Sequence, residues 1–188
     1  LRTVYDQMSD HDALTQISTV LDRMRAIIEE NDGNCVKSQG DDTLSFFSEA
    51  DQAFKAARMM IEADWNFGLA VHVGAYWGDV LSHDADIYGD AVNTSARLAA
   101  LAKPGEVLIG DTVFERLSER NQVLFVSMGG LKLKGKREPT RVHSFAVGEL
   151  DTQTVLFGAK PSNLGRRTES VALVCGEGNW SLTDGQSV

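Results

Sequence analysis

Three features of the sequence predict an α+β sandwich, with helices covering one face of a mainly antiparallel sheet. An amphipathic stripe runs over residues 12–30. Two short strand-like runs meet at Gly40-Asp41-Asp42. A string of short apolar segments follows from Val123 onward.

The first helix is expected over Asp12 to Glu30. Leu14, Ile17, Val20, Leu21, Met24, Ile27 and Ile28 give it one apolar face. Ser9 or Asp10 can cap it, and Asn31-Asp32-Gly33 ends it. Asn34 to Gln39 and Thr43 to Ser48 read as a hairpin with its tip at the acidic pair. Ser48 is placed to cap a second helix over Glu49 to Asp64, with Phe54, Ala57, Met60 and Ile61 inward. Leu69, Val71 and Val73 alternate as a strand, and Asp79 to Ser82 is expected to return beside it. A third helix spans about Gly89 to Ala102 and stops at Lys103-Pro104-Gly105. Glu106 to Ile109 is a strand, and Asp111 caps a short helix through Leu117. Val123 to Ser127, Leu131 to Lys134 and Val142 to Val147 complete the β end. This order fits a ferredoxin-like βααββαβ core if one strand precedes Leu1.

The 188 residues suffice for one domain with a real core and a short appendage. The chain is 43% hydrophobic and 24% charged, an ordinary globular balance. Its net charge of -9 argues against a nucleic-acid polymer or an anionic membrane as main partner. A small anion needs only a few local cations, so a nucleotide is compatible with that charge. Cys35 and Cys175 are far apart and read as thiols of a reducing, cytoplasmic compartment. The four histidines show no ligand spacing. No apolar run is long enough to span a bilayer, and no secretory signal opens the chain. The first residue is Leu1 and the end reads as an unfinished strand, so a longer parent is expected.

Residues 149–168 are polar, with Gly158, Pro161, Gly165 and Arg166-Arg167, and read as a linker after a domain over 1–148. Residues 169–188 suggest the start of a second, β-rich unit. That stretch is similar to the opening of a forkhead-associated domain, which implies a phosphothreonine protein as a partner; the family's binding-loop residues are absent.

The most specific stretch is Tyr88-Gly89-Asp90-Ala91-Val92-Asn93-Thr94-Ser95-Ala96-Arg97. A glycine turn opens a helix carrying Asn93 and Arg97 four residues apart on one face, where amide and guanidinium can clamp developing negative charge. Together with Val36-Lys37-Ser38-Gln39-Gly40-Asp41 upstream and Leu133-Lys134-Gly135-Lys136 downstream, it resembles the catalytic domain of the class III nucleotide cyclases. The resemblance covers about residues 1–147 and implies conversion of ATP to cyclic AMP and pyrophosphate.

Site roles follow from that resemblance. Asp41 would be one of two aspartates holding two Mg²⁺ (or Mn²⁺) ions per site. Lys37 and Asp86 would read the base, and this suits adenine, whose N1 accepts a hydrogen bond while its N6 amino group donates one. Guanine reverses both. Asn93 would orient the ribose, Arg97 would stabilise charge near the α-phosphate, and Lys134, in the penultimate strand, would meet the terminal phosphates. Taken singly, each residue is equally well a turn acid, a solvated charge or an edge-strand lysine.

The family's other metal aspartate lies on the strand expected before Leu1, so the 188 residues alone are expected to bind Mg-ATP poorly and cyclise little. Family sites form between two catalytic domains. This chain carries both kinds of residue, which implies a head-to-tail homodimer with shared sites. Three other readings compete, one of them an interaction protein whose working part is the incomplete phosphothreonine-reading module. A diguanylate cyclase is disfavoured because Gln39-Gly40-Asp41-Asp42-Thr43 does not match its hairpin. The third is a non-catalytic, nucleotide-binding regulatory domain.

Overall fold

The computed structural model describes residues 10–39, 42–65, 69–148 and 168–175. The elements are α1 (Asp10–Glu30), β1 (Asn34–Gln39), β2 (Asp42–Phe47), α2 (Ala50–Glu62), β3 (Ala70–Trp77), β4 (Leu81–His83), β5 (Asp86–Tyr88), α3 (Asp90–Leu101), β6 (Glu106–Gly110), α4 (Asp111–Phe114), α5 (Glu119–Gln122), β7 (Val126–Leu131), β8 (Thr140–Ala146) and β9 (Thr168–Cys175). The class is α+β, as the sequence predicts. A seven-stranded sheet has the order β1-β2-β9-β3-β6-β8-β7, and β4 and β5 form a small sheet of their own.

Two expectations about the sheet are corrected. The sheet is mixed, not mainly antiparallel: β2–β9, β3–β9 and β3–β6 are parallel, while β1–β2, β6–β8 and β7–β8 are antiparallel. Parallel neighbours need a crossover, and α2 and α3 supply the connections from β2 to β3 and from β3 to β6. Helices also cover both faces, not one. Val71, Val73 and Ala75 of β3 pack with Met24 and Ile28 of α1 and Phe54 and Met60 of α2. The alternate residues meet α3: His72 Nδ1 lies 2.7 Å from the Ala99 carbonyl, and a methyl on Gly74 would fall 2.0 Å from the Ala99 nitrogen. In β6, Val107 and Ile109 face the α1–α2 core, whereas Leu108 faces Leu98 and Ala102 of α3. This is the period-two alternation of a strand buried on both sides.

The central slot between β2 and β3 is filled. β9 lies there, pairing Asp42 to Phe47 on one side and Ala70 to Trp77 on the other. Leu173 is fully buried in the α1–α2 core. The strand in this slot comes from the C-terminal stretch; the strand expected before Leu1 is outside the sequence. Of the region read as a second β-rich unit, residues 169–175 lie in this sheet, with residue 168 of the proposed linker; residues 149–167 and 176–188 lie outside the described residues.

Local differences have simple causes. Ser48 does not cap α2; Glu49 holds that position, without a side-chain hydrogen bond. Gly110, not Asp111, is the residue before α4, because Asp111 turns instead to His143 Nε2 at 2.8 Å. α5 is capped from a distance: Asp51 Oδ1 accepts hydrogen bonds from Ser118 N, Ser118 Oγ and Asn121 Nδ2. The segment expected to return on β3 becomes β4, which pairs with β5 across Asp84 and Ala85, both at positive φ. That is the twist of a two-residue hairpin turn.

Candidate active site

The site is built on β1, β5, α3 and the loop between β7 and β8. β1 carries Lys37 and β5 carries Asp86, residues 49 apart in sequence. Lys37 Nζ donates to Asp86 Oδ2 at 2.6 Å. The hydrogen bond from Lys37 pulls the Asp86 carboxyl below its ordinary range; partial burial opposes this, and the Ile87 N–H and Tyr88 hydroxyl add to it. Asp86 Oδ1 also accepts from Ile87 N at 2.8 Å, which fixes the carboxylate's orientation. An ammonium donor and a carboxylate acceptor thus stand side by side, half open to solvent.

β5 runs through Gly89 directly into α3. Gly89 has φ +147°, and a methyl there would sit 2.8 Å from the Asp79 carbonyl oxygen, so only glycine makes this entry. The helix begins at once with Asp90, and Asn93 N closes back on the Gly89 carbonyl. Asn93 is exposed and Arg97 half-buried. Leu98 and Ala99, fully buried, seat the opposite face of α3 on the sheet. Neither the Asn93 amide nor the Arg97 guanidinium has a hydrogen-bond or ion-pair partner among the described residues.

Lys134 is not in a strand. β7 ends at Leu131, and Leu133-Lys134-Gly135-Lys136 is a tight turn closed by Lys136 N to the Leu133 carbonyl at 3.1 Å. Gly135 has φ +80°, the conformation a type II turn demands of its third residue. Lys134 is the exposed second residue. The turn lies against α3: a methyl on Gly135 would be 3.3 Å from Arg97 Nη2. A run of three contiguous links results: Lys37 touches Asp86, β5 leads into α3, and Arg97 meets the turn that carries Lys134.

Asp41 lies outside the described residues. Among the described residues, no three His, Cys, Asp or Glu gather to hold a metal ion. A cleft of about 330 Å³ beside the turn is lined by Tyr76, Asp111, Lys136 and Arg141 among others, and by none of the five described site residues Lys37, Asp86, Asn93, Arg97 and Lys134.

The family is decided by the match to its model: residues 2–149 fit the adenylate and guanylate cyclase catalytic domain. The chain belongs to that family. Within it, the chain is 25% identical over 169 residues to putative adenylate cyclase 3 of Rhizobium meliloti (strain 1021), covering 84% of this chain and 29% of that protein. It is 34% identical over 103 residues to an adenylate cyclase of Glutamicibacter nicotianae, covering 53% and 25% respectively. The adenylate/guanylate cyclase/hydrolase structure from Silicibacter pomeroyi superposes with a TM-score of 0.57 at 28% identity, over 76% of this chain and 89% of that one. A Trypanosoma brucei adenylate cyclase in its monomeric state shares the fold, with a TM-score of 0.60 at 17% identity over 74% and 81% of the two chains. The chain spans less than a third of the length of the curated relatives it matches. Among the described residues, no helix is long and apolar enough to cross a membrane.

The sequence assigns no role to Asp90, Tyr76 or Lys136. Lys136 meets both of the others, the Asp90 carboxylate and the Tyr76 ring. Tertiary contact alone joins them, since Asp90 and Lys136 lie 46 residues apart.

Proposed function

We propose that the protein is an adenylate cyclase, and that this domain supplies the base-reading and phosphate-holding groups of its site. The observation that carries the reading is the Lys37–Asp86 pair. It offers a hydrogen-bond donor beside an acceptor, the complement of adenine's neighbouring N1 and N6. ATP bound there would run its ribose and triphosphate along α3 towards Arg97 and Lys134.

In the reaction the ribose 3′-oxygen attacks the α-phosphorus. A new P–O bond closes the ring, the bond to the β-phosphate oxygen breaks, the 3′-hydroxyl proton is lost and pyrophosphate departs. Asn93, exposed on the first turns of α3, would hydrogen-bond the ribose. The planar Arg97 fork accepts the charge that builds on the α-phosphate oxygens, and Lys134 meets the leaving phosphates as a point charge. The two Mg²⁺ or Mn²⁺ ions of the family resemblance would contribute a more acidic 3′-hydroxyl and added phosphate neutralisation. The described residues do not form a cage for them. The roles given to Lys37, Asp86, Asn93, Arg97 and Lys134 do not depend on them. A head-to-tail homodimer, with a second copy completing each site, accords with one chain carrying base-reading residues as well as the Asp41 hairpin.

The test is product formation by the full-length protein given ATP or GTP. Cyclic AMP is the expected main product, and Lys37→Glu should lower cyclic AMP formation at least tenfold while raising the share of cyclic GMP. Cyclic GMP as the main product of the unaltered protein would overturn the reading.

A further inference from the structure

We propose that Lys136, clasped by Asp90 and Tyr76, is a positioning residue that holds the Leu133–Lys136 turn against α3 and so sets where Arg97 and Lys134 meet phosphate. This rests on the adenylate cyclase reading and extends it to three residues outside the groups that touch nucleotide.

Lys136 is the second lysine of the turn and differs sharply from the first. Lys134 is exposed and without an ion-pair partner among the described residues. The Lys136 side chain is only 19% exposed; its ammonium pairs with the Asp90 carboxylate and sits 5.1 Å from the centre of the Tyr76 ring. An ion pair and a cation–π contact to the same ammonium leave little of it for a ligand. Tyr76 is itself fixed, since a methyl on its neighbour Gly110 would fall 2.5 Å from the ring. Asp90 is the first residue of α3, where a carboxylate also favours the positive end of the helix dipole.

The turn is therefore tied at both ends. Leu133 is buried with Leu98, Ala102, Leu108 and Val142 beneath α3, and Lys136 is tied to the start of α3. Between these anchors lie the two residues that meet the site, Lys134 and Gly135. Gly135 lies against the Arg97 guanidinium with no side chain in between. Releasing Lys136 frees one end of the turn, and with it the wall on which Arg97 rests. A positioning error of about an ångström is enough to cost roughly a hundredfold in rate.

The experiment measures ATP, adenosine and tripolyphosphate affinity, together with kcat and KM, for the full-length protein carrying Asp90→Asn, Lys136→Met or Lys136→Arg. Positioning predicts that Asp90→Asn and Lys136→Met each weaken tripolyphosphate about tenfold and lower kcat more than they raise KM. Adenosine affinity should hold, and Lys136→Arg should keep most of the function. In an Arg97→Ala background, most of the Asp90→Asn effect should vanish, because the clasp acts through Arg97. If Lys136 were instead a direct phosphate ligand, Asp90→Asn would free it and tighten tripolyphosphate, which would overturn the proposal. Equal losses for adenosine and tripolyphosphate, as from general destabilisation, would overturn it as well, as would no change. Failure of the unaltered protein to bind ATP would remove the cyclase reading itself, and the clasp's role with it.

Discussion

The proposed base-reading and phosphate-holding ends of the site differ in how their charges are kept before any ligand arrives. At the base end, Lys37 and Asp86 are paired with each other at 2.6 Å, and the carboxylate has a second donor in Ile87 N. At the phosphate end, Arg97 and Lys134 have no counter-charge among the described residues. The contrast suits the proposed ATP. A purine edge is neutral and needs a donor and an acceptor set at a fixed spacing, which an ion pair preserves by holding both groups in place. A triphosphate brings its own negative charge, so cations left unpaired lose no partner when it binds. Part of the cationic supply is nevertheless spent: Lys136 is given to Asp90, where it shapes the turn.

The largest effect that would sharpen this contrast is at Arg97. Arg97→Ala should lower cyclase turnover about 100- to 1,000-fold, the cost of losing one donor to a developing oxyanion. Arg97→Lys should recover little of it, because an ammonium cannot supply the two-pronged contact. Steady-state kinetics with ATP checks both. Full activity in Arg97→Ala would place the charge-stabilising group elsewhere.

Next in size is an effect on the sheet beneath the site. β9 lies beside β2, the hairpin partner of β1, and Leu173 is its fully buried anchor in the α1–α2 core. Leu173→Ala should cost about 2–5 kcal/mol of stability, by lost burial and the cavity left behind. Urea unfolding measures that loss. Hydrogen exchange should quicken more in β2 and β3, which pair with β9, than in β7 and β8, which do not. Even quickening across the sheet would show that β9 does not hold β2 and β3 in particular.

Much of this was legible in the sequence. The 3.6-residue periodicity of residues 12–30 located α1, since a single apolar stripe has few other ways to be buried. The glycine entry before Asp90 and the Asn93/Arg97 spacing identified α3 and its outward face. The family resemblance names Lys37 and Asp86 together, and the structure brings the two side chains into contact. What stayed hidden is non-local. Nothing in residues 168–175 says which sheet they join, because an apolar strand reads the same wherever it pairs. The turn at Lys134 was read as a strand because Leu131, Lys132, Leu133 and Lys134 alternate, yet Gly135 at positive φ closes a loop there. The distant cap on α5 was invisible for the same reason: Asp51 lies 67 residues from Ser118.

That cap gives the smallest expected effect, far from either end of the site. Burial pushes the Asp51 carboxyl up, but hydrogen bonds from Asn121 and Ser118 and the charge of Arg120 outweigh it, so the folded value lies below 3.8. A depressed folded value gives stability that is fully present above the unfolded value and is lost as pH falls through the folded one. Asp51→Ala should therefore cost about 1 kcal/mol at neutral pH. The gap to the unaltered protein in thermal unfolding should narrow below about pH 4. Arg97-dependent phosphate affinity should be unchanged. A gap that persists undiminished into acid would mean that the carboxylate is not what holds α5.

The most direct test of the division between the two ends is a binding matrix on the full-length protein: adenosine, tripolyphosphate and ATP against Lys37→Ala and Arg97→Ala. Lys37→Ala should weaken adenosine and ATP about tenfold and leave tripolyphosphate unchanged, while Arg97→Ala should weaken tripolyphosphate and ATP and leave adenosine unchanged. If either substitution weakens adenosine and tripolyphosphate alike, the two ends are not separate and the assignment of base to one and phosphate to the other is contradicted.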